Sequence, residues 1–95
     1  MSQKVETVTP TNGFAAQDAP DFEPGFVPDE YELENVGATV VNYTFDGPNE
    51  AGGSLPVPVA TNDLHRRTIR TKGQKLWLED GAGTGSVRVI ARTDA

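Results

Sequence analysis

From Ala38 onward apolar and polar residues alternate in short runs, the period of half-buried strands, and no segment repeats its apolar residues at helical spacing. Ala38 to Phe45 is rich in β-branched and aromatic residues. Thr39, Val41, Tyr43 and Phe45 share one face of that strand, and Ala38, Val40, Asn42 and Thr44 the other. Asp46-Gly47-Pro48-Asn49 predicts a turn. Leu55-Pro56-Val57-Pro58-Val59 alternates with prolines that cannot donate to a ladder, so it suits a sheet edge. Asp63 to Thr71 is a polar strand whose apolar positions, Leu64 and Ile69, differ in parity, which predicts a bulge or a change of sheet. Thr71 to Gln74 predicts a turn, Lys75 to Glu79 a short strand and Asp80 to Gly85 a loop. In the last strand, Ser86 to Arg92, Val87, Val89 and Ala91 oppose Ile90. The expected fold is all-β, a small antiparallel sandwich or barrel of about five to six short strands over residues 36–95. Its expected core is Val41, Tyr43, Phe45, Leu55, Val57, Ile69, Leu76, Leu78, Val87 and Val89.

Residues 1–35 read differently. Pro10, Pro20, Pro24 and Pro28 interrupt any helix, and no apolar period is evident. The expectation is an extended acidic arm preceding the β domain. Phe14, Phe22, Phe26 and Tyr31 are dense for a passive linker, and they read as anchors for pockets on a partner. Fully extended, such an arm reaches about 115 Å, enough to cross neighbouring subunits.

Charge sharpens this division. The chain of 95 residues carries a net charge of −6. Residues 1–35 hold eight acidic groups and one Lys, whereas residues 66–95 hold seven basic groups and three acidic ones. The acidic and basic parts can attract each other within or between subunits. The overall acidity speaks against bulk nucleic-acid binding. No apolar stretch approaches a membrane span, and the first residues lack the layout of a secretory signal. Without cysteine there is no disulfide or thiol chemistry, so a small fold is expected to draw stability from oligomerisation or a partner.

Candidate chemistry is sparse. His65 is the single histidine, and neither Ser54 nor Ser86 lies in a nucleophile motif, so no enzyme is expected. One His and no Cys give no transition-metal site, and Asp46, Asn49 and Glu50 lack the spacing of a calcium loop. Gly81 to Gly85 precedes a strand rather than the helix a phosphate site needs. No cofactor is expected. Arg66, Arg67 and Arg70 form the densest basic patch, with Arg66 and Arg70 on one strand face and Arg67 on the other. No aromatics interleave with these charges, so an acidic arm or acidic neighbour is the expected partner rather than nucleic acid.

The stretch Val41-Asn42-Tyr43-Thr44-Phe45-Asp46-Gly47, then Leu76-Trp77-Leu78, then Gly83 to Ala91, resembles small β-sandwich virion accessory proteins of tailed bacteriophages. There a strand ending in a Phe-Asp-Gly turn comes early, and a glycine-rich loop leads into a final valine-rich strand. The resemblance covers residues 38–92. It implies a capsid cement or decoration protein on the virion surface, homo-oligomeric, bound to the major capsid protein or other virion proteins, with neck or tail placement as the alternative. A free carbohydrate- or protein-binding module, with Trp77 and Tyr43 as stacking surfaces, is a second expectation from the residues themselves.

Overall fold

The computed structural model describes residues 2–10, 22–47, 52–58, 64–71, 75–80 and 85–93. Among them are seven strands and no helix: β1 (Ser2–Val8), β2 (Glu30–Asn35), β3 (Val41–Thr44), β4 (Gly53–Leu55), β5 (His65–Arg70), β6 (Trp77–Glu79) and β7 (Val87–Thr93). They form a four-stranded sheet in the order β1-β7-β2-β5 and a three-stranded sheet in the order β4-β3-β6. Every neighbouring pair is antiparallel. The inward sides of both sheets contribute to one hydrophobic core. The all-β antiparallel expectation is met.

The arm is where the structure departs from the sequence reading. Residues 2–8 and 30–35 are strands of the four-stranded sheet, and β2 is an interior strand held between β5 and β7. No domain boundary therefore separates 1–35 from 36–95 at the level of this sheet. The physical reason is the period-two pattern of Glu30-Tyr31-Glu32-Leu33-Glu34-Asn35. Tyr31, Leu33 and Asn35 point inward and are fully buried, while the three glutamates lie on the other face.

Phe22 is also buried, and its backbone N–H donates to the Leu76 carbonyl beside β6. Its ring meets Tyr31 edge to face at 6.1 Å, and Tyr31 in turn lies 5.4 Å from Phe45. Of the expected core, Val41, Tyr43, Leu55, Leu76, Leu78, Val87 and Val89 are buried, and Phe45 and Ile69 pack against them. Val57 is half-buried and outside the cluster. Val8, Phe22, Tyr31 and Leu33, all from the first 35 residues, join it together with Ala91, and Phe26 packs against it.

The expected bulge near Ile69 is absent. The β2–β5 register runs unbroken from Glu30↔Arg70 to Asn35↔His65. The parity mismatch arises because Leu64 is exposed, just outside the strand, so only Ile69 reports the inward face. An edge strand is present, but at Gly53–Leu55 and not at the expected Leu55–Val59: residues 56–58 lie outside any strand, because Pro56 and Pro58 lack the N–H a ladder needs. Gly47 adopts φ +118°, the left-handed backbone expected of the Asp46-Gly47 turn. The rest of that turn, the 72–74 segment and Gly81 to Thr84 lie outside the described residues.

The two sheets are tied by specific contacts. On the side where β5 and β4 meet, Asn35 Nδ2 donates to the carbonyls of Thr39 at 2.9 Å, Pro56 at 3.0 Å and Leu55 at 3.4 Å, and Asn35 Oδ1 accepts from Gly37 N–H at 3.0 Å. Arg67 Nη1 donates to Tyr43 Oη at 3.0 Å and to the Ser54 carbonyl at 3.5 Å. Across the molecule, Phe22 bridges the Leu76 backbone to the edge of β1, where Lys4 Nζ sits 5.1 Å from the Phe22 ring centroid.

Candidate interaction surfaces

The outer face of the four-stranded sheet collects most of the charge that the sequence placed far apart. Register puts Glu30, Glu32 and Glu34 of β2 between Arg70, Thr68 and Arg66 of β5 on one side and Arg92, Ile90 and Arg88 of β7 on the other. The result is a central column of carboxylates flanked by guanidinium groups. Arg66 reaches Glu34 at 2.9 Å and Glu32 at 3.5 Å, and Arg70 reaches Glu30 at 3.5 Å. From the opposite side, Arg92 reaches Glu30 at 3.1 Å and Glu32 at 3.5 Å, and Arg88 reaches Glu34 at 4.0 Å. The Arg stems cover the carboxylates, so Glu34 is buried while Arg66 and Arg70 stay exposed. Its hydrogen bond to Glu34, then the charges of Glu32 and Glu34, push the Arg66 guanidinium above its already high range.

Each expected partner-binding residue can now be placed. Phe14 lies outside the described residues. Phe22 and Tyr31 are buried in this chain's own core, and Phe26 is half-buried against it, so none of the three is a free anchor in this conformation. For these three the structure departs from the arm reading: they pack in or against the chain's own core between the two sheets. Arg66 and Arg70 are ion-paired within the chain to the acidic residues expected to attract them. Arg67 points to the inner side of β5 and closes the sandwich over Tyr43.

The residues weighed for chemistry do not assemble. Among the described residues, no hydrogen bond joins His65 to Ser54 or Ser86, and His65 Nε2 is buried with no partner. Among them, no group of three or more His, Asp or Glu is placed to hold a metal ion. Asn42, the first residue of a glycosylation-type triplet, donates its side-chain N–H to Glu79 Oε1 at 2.9 Å. Trp77 and Tyr43 are both more than nine-tenths buried, so neither presents an open ring for stacking on a sugar.

What sequence reasoning missed is the sheet's borders. β1 and β5 bound the four-stranded sheet, and among the described residues no strand pairs with their outer edges. Open edges expose backbone donors and acceptors to an incoming strand. Val5 of β1 is 45 % exposed, beside Ile90 of the charged face. Val36 and Leu64 are exposed on either side of the Asn35↔His65 pair, at one end of the same sheet.

Compared with protein-family models, with curated proteins and with solved structures, the chain finds no match.

Proposed function

We propose that the chain is a non-enzymatic assembly protein, a virion accessory of the capsid cement or decoration type, bound to the major capsid protein or its neighbours. The virion setting comes from the strand, turn and glycine-loop pattern of residues 38–92. One structural observation supports an interaction role: the four-stranded sheet presents a face of ion-paired Arg and Glu, bounded by two edges that no strand covers among the described residues. A face of alternating, mutually neutralised charge suits a polar contact with a protein surface of the same kind, because partner charges exchange for internal ones at small net cost.

In this reading contact runs through the sheet face and its edges instead of through aromatic anchors. Neck or tail placement shares the same surface chemistry and differs in copy number. Quantitative mass spectrometry of purified particles separates them. A copy number comparable to that of the shell subunits supports cement or decoration, a few copies per particle support neck or tail, and absence from particles overturns the virion reading. A specific check is charge reversal of Arg66 and Arg70 to Glu, which faces both with β2 carboxylates. It is expected to weaken particle binding and to steepen its salt dependence less than in the parent.

A further inference from the structure

Strand β1 is attached to this fold in an unusual way. It runs antiparallel to β7 over seven register pairs, Ser2↔Thr93 to Val8↔Val87. Yet of its residues only Val8 is buried and belongs to the core. Its other inward positions, Ser2, Lys4 and Glu6, are polar, and Lys4 and Glu6 pair with each other at 3.6 Å in solvent. Besides the backbone ladder and Val8, β1 is held by Lys4 Nζ, which donates to the Glu23 carbonyl at 2.8 Å and lies 5.1 Å from the Phe22 ring centroid.

β7 is the opposite kind of strand. Val87, Val89 and Ala91 are fully buried and Ile90 nearly so. If β1 leaves, a core strand is left with an unpaired edge, which is an acceptor for another strand. Just past β1, Pro10 is buried as well, and Phe22 is the next buried position among the described residues. The 13 residues between Val8 and Phe22 can span up to roughly 45 Å, so β1 can depart while Phe22 keeps its place in the core, with the two Lys4 contacts broken.

We propose that β1 exchanges between copies of this chain, the Ser2–Val8 strand of one copy occupying the β7 edge of a second in the same antiparallel register. The ladder is the same in cis and in trans, so the interaction energies nearly cancel, and the balance is set by concentration. A strand tethered by a short linker competes at an effective concentration of about millimolar. Exchange is therefore a minor state in dilute solution and a major one where copies are crowded. This concerns the free protein and does not rest on the virion reading.

The absence of cysteine makes the test clean. Thr7 and Arg88 are register partners. A Thr7→Cys chain mixed with an Arg88→Cys chain can form the hetero-disulfide in register only when β1 of one copy lies on β7 of another. Under mild oxidation the hetero-dimer is expected to exceed that of an off-register control, Thr7→Cys with Ser54→Cys. It is also expected to grow by roughly an order of magnitude or more from tens of micromolar to about millimolar protein. The double variant Thr7→Cys/Arg88→Cys is expected to close within one chain when dilute. Hetero-dimer no greater than the control at every concentration overturns the exchange. A double variant that fails to close in cis overturns the β1–β7 seam on which it depends.

Discussion

Asn35 is a wholly buried amide at the end of β2, and it satisfies three backbone carbonyls and one backbone N–H from two other segments. Asn35→Ala strands those groups without water, and the expected loss is about 2–4 kcal/mol in urea unfolding. Gly53 opposes Tyr43 across β3 and β4, and a Cβ there would overlap the Tyr43 ring. Because that ring is fixed by Phe45 and by the Arg67 hydrogen bond, Gly53→Ala is expected to cost about 1–3 kcal/mol and to lower the urea midpoint. Burial pushes the Tyr31 phenol up to about 12 from its ordinary 10.0. The folded state then holds this proton where the unfolded state releases it. The stabilisation is complete below pH 10 and is lost as pH rises toward 12. Tyr31→Phe should flatten that alkaline decline by about 2–3 kcal/mol, read from denaturant midpoints at stepped pH.

At the scale of elements, β2 carries the most. Its inner side brings Tyr31 and Leu33 to the core, and its outer side brings three glutamates to four arginines of β5 and β7. Glu34 is the most buried of the three, so Glu34→Gln is expected to destabilise by about 0.5–1 kcal/mol, less at high salt, in paired melts at low and high ionic strength. The strands after residue 40 were legible because Val, Tyr, Leu and Ile alternate strongly there. β2 was not, because its charged alternate positions and the four nearby prolines look like the composition of a solvated arm. Its pattern was nonetheless present in Tyr31, Leu33 and Asn35. The acidic-to-basic attraction was legible too, and the structure places it within one chain, between neighbouring strands. Phe22 stood out among the aromatics, but between prolines it has no period that assigns it to this chain's own core. The sheet edges were invisible for a different reason: which strands end a sheet depends on pairing, not on any one segment's residues.

For the whole molecule, the first 35 residues and the rest are parts of one core. Val8, Phe22, Tyr31 and Leu33 fill the space between sheets, and β2 is the strand that joins β5 to β7. A chain without them keeps Val87, Val89 and Ala91 but loses both strands that flank β7, and β5 loses its one partner in the sheet. The interaction surface proposed for the virion vanishes with β2 as well, since its glutamates are the centre of the charged face. The most direct measurement is urea unfolding of the full chain beside a chain of residues 36–95, followed by Trp77 fluorescence and by the dispersion of amide proton resonances. One cooperative transition and dispersed resonances for the full chain, with neither for residues 36–95, is the predicted result. A cooperatively folded 36–95 chain of similar stability would contradict it, and would return the first 35 residues to the status of an arm.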